Sequence, residues 1–452
     1  MKAVAERIFR ETLNAIDIRA TLPLRLPRSG CSVDVSACGW ALGHSRANAS
    51  TTSAVSAVLD LRNFRNVFAI AFGKAAAAMA HGLTDVLAPD FAPAGICVVP
   101  APPSLPLAGW ETIVAGHPVP NEQSFRAGRL ILDLLRRCDK HSLVFFLVSG
   151  GGSALIEQPL DPGISQADFR QLNDALVKCG APIADMNAVR KHFSGVKGGR
   201  LATAAPTATK ITLGVSDVPD GQETALASGP TLPDPSSVED VLRIAKQFRL
   251  AALLPPSLRE RLESRRIEET PKTDNPAFAR SLYLRLLGSH DLTHCAHRTA
   301  EGAGFVCEVD NSTNDWPLEQ ASSYLLGRLH ELKRWNPNRP VALIANGELS
   351  SPAEGSGVGG RNAAFVLTCV PKIAGQQVVV LSAGTDGIDG NSPAAGAVAD
   401  GETMRRAESS GWDPEEYRRH FDSFHFFENM GDTVVTGPTG NNLRDLRILL
   451  AP

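Results

Sequence analysis

Leu143-Val144-Phe145-Phe146-Leu147-Val148-Ser149-Gly150-Gly151-Gly152-Ser153 is the stretch from which the fold is read. Six apolar residues without alternation describe a strand covered on both faces, the pattern of a parallel sheet flanked by helices. The glycines that follow let the chain turn sharply and bring backbone N–H groups toward a ligand without Cβ interference, and Ser149 and Ser153 add hydroxyls. Ala154, Leu155 and Ile156 suit a short helix whose positive end would fall at the same turn. Such a turn fits a phosphate or another anion, and equally a tight strand-to-helix connection with no ligand.

Working outward, the same arrangement recurs. An apolar run at 67–72 leads into Gly73 and Lys74, followed by a helix of small residues at 75–82. A lysine at the positive end of a helix is poorly placed for stability, so Lys74 reads either as a partner for phosphate or as a side chain reaching into solvent. Residues 96–99 and 113–114 give further strands, the second ending in Gly116-His117-Pro118-Val119-Pro120-Asn121, where His117 lines the strand end. Helices are expected at 122–138 and 165–179. The segment 187–200 then holds Asn187, Arg190, Lys191, Lys197 and Arg200 among glycines and Ser194, a pattern for an anion pocket or a solvated face. A strand at 211–215 delivers Ser216 and Asp217. In open α/β sheets ligands bind beyond the strand C-termini, which is where Lys74, Ser149 to Ser153 and Asp217 fall. Asp217 reads as a magnesium ligand, a proton acceptor or a turn cap.

A helical pattern at 238–262 and a polar stretch at 264–275 suggest a domain junction, dividing the chain at 1–275 and 276–452. The second part repeats helix and strand signals. Its strand at 341–345 closes on Asn346-Gly347-Glu348, and Gly359-Gly360-Arg361-Asn362 opens a helix in the manner of an anion clamp. A strand at 378–381 ends in Thr385-Asp386-Gly387-Ile388-Asp389-Gly390. This resembles the start of a calcium loop, but the twelfth position is Ala397 instead of glutamate, so catalytic or magnesium-binding carboxylates fit better.

The length of 452 residues asks for two or three domains. With 43% hydrophobic and 21% charged residues and a net charge of -3, neither a nucleic acid nor a membrane is called for as partner. Eight scattered cysteines without a Cys-x-x-Cys pair suggest reduced, mostly buried thiols; a cytoplasmic enzyme, monomer or homodimer, is expected. The Gly- and Ser-rich stretch 21–53 reads as a surface excursion.

Taken together, Gly73-Lys74-Ala75-Ala76, Ser149 to Ser153, Asn187 to His192, Lys197-Gly198-Gly199-Arg200, Ser216-Asp217-Val218, Ala227 to Thr231, Gly359 to Asn362, Thr385 to Gly390 and Thr436 to Thr439 resemble, in order, the glycerate 2-kinase family with its C-terminal MOFRL domain. The resemblance implies a Rossmann-like parallel-sheet N-terminal domain, a smaller α/β C-terminal domain and an active-site cleft between them. It implies transfer of the γ-phosphoryl group of ATP to D-glycerate with Mg2+, and catalysis by Lys74, Arg361 and Asp386. Ser149, Gly150, Gly151, Gly152, Ser153, Asn187, Arg190, Lys191, Lys197 and Asp217 would bind substrate or nucleotide, and Asp217, Asp386 and Asp389 would hold the metal. Either Asp386 or Asp217 would take the proton of the attacking hydroxyl. Family members are often labelled hydroxypyruvate reductases, but no Gly-x-Gly-x-x-Gly with a distal acid supports NAD here. Asn121, Asp220, Ala363 and Ala364 depart from the family pattern, leaving open a kinase for another small hydroxy acid or a silent nucleotide- or metabolite-binding relative.

Overall fold

The computed structural model describes residues 1–36, 58–216, 218, 221–351 and 356–452. A short antiparallel sheet comes first in the chain: β1 (Arg28–Ser29), β2 (Ser32–Asp34) and β3 (Val58–Asp60), with Ser32 opposite Asp60. It follows a helix, Ile18–Arg25, that packs on helix Ala76–Leu87 so closely that a Cβ on Gly82 would lie 3.0 Å from that of Leu22. The described part of the 21–53 excursion is therefore built structure, because Leu22, Leu26, Val33 and Val35 are buried. The remainder, 37–53, lies outside the described residues.

The main sheet contains β4 (Asn66–Phe72), β5 (Ala94–Val99), β6 (Trp110–Val114), β7 (Ser142–Ser149), β8 (Thr209–Val215) and β9 (Ser281–Leu287) in the order β6-β5-β4-β7-β8-β9. Strands β4 to β8 pair in parallel, and every residue of β7 and β8 is buried, as an unbroken apolar run requires. The chain lays β5 and β6 on one side of β4 and then returns to lay β7 and β8 on the other. That reversal is a topological switch point, the crevice where such sheets bind ligands. Phe72 pairs with Val148, so the turns after β4 and β7 start side by side.

The long helix expected at 238–262 is interrupted. Helices Val238–Gln247 and Pro256–Glu263 flank a single turn at Leu250–Ala252, since Arg249 adopts a positive φ of 50° and two prolines stand at 255 and 256.

A second sheet holds β10 (Val306–Val309), β11 (Val341–Asn346), β12 (Val379–Gly384), β13 (Gly396–Asp400), β14 (Thr433–Val434) and β15 (Asp445–Ala451), ordered β10-β11-β15-β12-β13-β14. Only β10 and β11 are parallel; the other pairs are antiparallel. The last strand lies between β11 and β12 and runs against both. Its first residue, Asp445, therefore sits opposite Gly384, at the C-terminal ends of its neighbours.

Two compact units result, Ile18–Leu286 and Met1–Asp17 with Leu287–Pro452. This differs from a division at 275. Strand β9 completes the first sheet, and the opening helix Lys2–Ala15 buries Ala5, Ile8 and Phe9 in the second unit, in contact with helix Ser289–Gly302 and with β12, β13 and β15. No helix among the described residues is long and apolar enough to cross a membrane.

Candidate active site

In the first unit, the switch point is built from glycines. Gly73 has φ +126°, and a Cβ there would lie 2.1 Å from Ser149 Oγ, so only glycine lets β4 end against β7. The Lys74 N–H donates to Gly150 O at 2.9 Å, and the Ala75 N–H donates to Ser149 Oγ at 3.0 Å. The lysine thus leaves the sheet directly over the glycine turn. Gly151 has φ +82°, and a Cβ on it would meet His117 Nε2 at 3.0 Å and Lys74 Cγ at 3.3 Å. Lys74, His117 and the turn therefore form one small site. Burial, and then the Lys74 charge, lowers the His117 pKa and favours its neutral form.

Ser153 Oγ lies 2.9 Å from Ser228 Oγ, while Ser228 O and Gly229 O accept from the N–H groups of Gly198 and Gly199 at 3.0 and 2.8 Å. Three motifs far apart in sequence are stitched together here. The helix after the turn, Gly152–Leu155, has only four residues. An anion at this turn would consequently meet local N–H groups, with little macrodipole behind them.

The 187–200 cations are already engaged. Lys191 Nζ donates to Asp234 Oδ1 at 2.9 Å, and Lys197 Nζ pairs with Glu157, all buried. Glu157 also accepts from Ser194 Oγ at 2.5 Å, and Arg200 Nη1 pairs with Glu268 at 2.7 Å. Arg190 is held by amides, donating to Asn173 Oδ1 at 2.9 Å and to Asn187 Oδ1 at 3.3 Å, and burial lowers its pKa against the pull of Glu157. Burial lowers the Lys197 pKa too, with Glu157 opposing. In place of an open anion pocket the structure has carboxylates at Lys191, Lys197 and Arg200, since a buried cation needs a partner. Lys197 Nζ also lies 3.4 Å from Ile156 O, at the end of the short helix that follows the glycine turn. Asp217 and Asp220 lie outside the described residues.

In the second unit, Arg361 opens helix Arg361–Ile373. Its Nε donates to Asp445 Oδ2 at 2.5 Å, and its Nη2 reaches Asp445 Oδ1 at 3.3 Å and Glu348 Oε1 at 2.9 Å. Burial works against this charge, but Asp445 and Glu348 outweigh it and hold the guanidinium above its usual pKa. Asp386 belongs to the same neighbourhood: a Cβ on Gly384 would come within 3.0 Å of Asp386 Oδ1 and 3.5 Å of Asp445 Oδ1. Behind them Arg447, fully buried, donates to Gly347 O at 2.8 Å, and burial presses it down to about 10.

Asp389, expected as a metal ligand, is engaged by the start of the Arg361 helix. It accepts from the N–H groups of Asn362 and Ala363 at 2.9 and 2.8 Å and from Asn362 Nδ2 at 3.2 Å, closing the start of the Arg361 helix. Among the described residues no three His, Cys, Asp or Glu side chains gather so as to hold a metal ion. Glu348, Asp445 and Arg447 were not singled out by motif. The antiparallel entry of the last strand brings Asp445 and Arg447 here, a long-range pairing that no local pattern announces.

These features define a two-unit α/β protein that places a lysine above a glycine turn in one unit and an arginine among carboxylates in the other, an equipment for anionic substrates. Residues 4–263 match the model described as "Domain of unknown function (DUF4147)", and residues 341–445 match the MOFRL family. The chain is 34% identical over 399 residues to a D-glycerate 2-kinase of Thermotoga maritima, covering 87% of this chain and 93% of that protein. It is 34% identical to a glycerate 2-kinase of Pyrococcus horikoshii, covering 85% and 87%. A crystal structure of a Thermotoga maritima glycerate kinase (EC 2.7.1.31) superposes with a TM-score of 0.83 at 31% identity, over 100% of this chain and 99% of that one. The chain belongs to the glycerate 2-kinase family of paired DUF4147 and MOFRL modules.

Proposed function

We propose that this protein transfers the γ-phosphoryl group of ATP to the 2-hydroxyl of D-glycerate, forming 2-phosphoglycerate, in the cytoplasm. The observation that carries the reading is Lys74, set over the glycine turn at the switch point of the first sheet. Phosphoryl transfer requires positioning and charge neutralisation more than covalent chemistry. Lys74 and the N–H groups of Gly150 to Ser153 bind the transferring phosphoryl group or the substrate carboxylate, and neutral His117 donates a hydrogen bond beside them. Arg361, steered by Asp445 and Glu348, neutralises developing charge. Asp386 takes the proton from the attacking hydroxyl. Lys191 and Lys197 act by holding the turn in place.

The described carboxylates do not fit an all-protein magnesium cage, because Asp389 is committed to helix N–H groups and Asp445 to Arg361. Mg2+ fits as an ion brought in on the nucleotide phosphates, its usual habit, with at most one or two carboxylates added. The test is ADP release with MgATP and D-glycerate, with the product offered directly to enolase. Turnover that Lys74→Ala removes, with product that enolase accepts, supports the reading; no turnover on D-glycerate overturns it.

A kinase for another small hydroxy acid is the second reading, favoured by the departures at Ala363 and Ala364, the second of them half-buried in the first turn of the Arg361 helix. A panel of hydroxy acids in the same assay separates the two.

A further inference from the structure

We propose that His290 and His294 form a chelating site for a borderline divalent transition ion, Cu2+, Ni2+ or Zn2+. The two residues stand one turn apart on helix Ser289–Gly302, the spacing that brings side chains together on one helix face and lets two imidazoles share a metal. Their rings are stacked, with centroids 6.3 Å apart and planes inclined by 23°. Both side chains are exposed, while Leu292, Thr293 and Ala296 bury the opposite face.

First turns of helices fray, yet this one is tied down on several sides. The Gly288 N–H donates to Asp291 Oδ2 at 2.9 Å, Thr293 Oγ1 donates to the carbonyls of Ser289 and His290 at 3.2 Å each, and Asn346 Nδ2 donates to Ser289 O at 2.8 Å. The backbone that carries both histidines is therefore ordered before any ion arrives, which removes part of the ordering cost of binding. The positive end of the helix dipole opposes a cation here, and Asp291 offsets it.

Imidazole nitrogen selects the class of ion. It suits copper, nickel and zinc, whereas the magnesium of phosphoryl transfer takes oxygen donors. Two protein ligands leave the remaining positions to water or to an external ligand. His297, one turn further on, is drawn toward Glu301 at 3.4 Å and is not required.

The test is titration of the full, untagged chain with CuCl2 by calorimetry, with electron paramagnetic resonance of the bound ion. One tight Cu2+ per chain with the hyperfine pattern of two nitrogens is expected. His290→Asn and His294→Asn should each weaken it at least about tenfold, equivalent to about 1.4 kcal/mol. His297→Asn should leave it unchanged, and circular dichroism should give all three variants the wild-type unfolding midpoint. Wild-type affinity in either His290→Asn or His294→Asn, or loss of the site in His297→Asn, would overturn the proposal.

Discussion

Asp389→Asn should turn a pH-dependent part of the stability into a pH-independent one. The Asp389 carboxyl is almost wholly buried, and burial raises it from 3.8 to about 6; the helix N–H groups oppose the rise and Asp445 adds to it. A carboxyl raised on folding takes up its proton more readily in the folded state. The wild type is therefore most favoured below about pH 4, loses stability as pH climbs toward 6, and carries a constant cost above that. A shift of roughly two units corresponds to about 3 kcal/mol, at about 1.4 kcal/mol per unit. Asparagine has no proton to lose, but it replaces one acceptor with an amide NH2 facing the helix start, leaving a buried N–H unsatisfied at a cost of about 1–3 kcal/mol. The variant should be less stable than the wild type at pH 4 and should approach or overtake it at pH 7. Urea midpoints of both proteins at pH 4, 5, 6 and 7 read this directly. A difference that stays flat across the range would refute the reasoning and mean that the helix N–H groups keep Asp389 ionised throughout.

Other substitutions test the remaining parts of the site. Gly151→Ala forces a Cβ against His117 and Lys74 in left-handed backbone, costing about 1–2 kcal/mol and weakening nucleotide binding, as thermal unfolding and ATP titration would report. Lys197→Met strands the Glu157 carboxylate and should cost about 3–5 kcal/mol, much of it recovered in the double variant with Glu157→Leu; equal midpoints for single and double variants would contradict the ion-pair account. Arg361→Ala should lower kcat at least about a thousandfold, the range of a charge-neutralising arginine in phosphoryl transfer, and Arg361→Lys should restore little because the fork to Asp445 is lost.

The parts of this molecule legible from sequence were those whose signal is local. The run at Leu143 to Val148 required a strand covered on both faces, and β7 is buried from end to end. Gly73 and Gly151 marked turns because their φ values admit little else. The partners of the 187–200 cations were not legible, because local pattern lists cations alone: Asp234, Glu157 and Glu268 arrive from other segments. The bonds of Asp389 to a helix start 27 positions earlier in the chain were illegible for the same reason, since local pattern does not show which N–H groups a carboxylate will meet. Strand β9 and the allegiance of the first helix depended on which sheet had room for them, a property of the assembled core.

That allegiance bears on the order of events during synthesis. Helix Lys2–Ala15 leaves the ribosome long before one of its partners, β15, is made. At about 5–20 residues per second, the roughly 430 residues between Ala15 and Asp445 take about 20 to 90 s. Ile18–Leu286 is one continuous segment and can collapse on its own sheet meanwhile, whereas no continuous fragment contains the other unit. Ile8 and Phe9 therefore reach their buried positions against β15 only after that strand has been made, and the second unit closes when these two distant segments of the sequence meet.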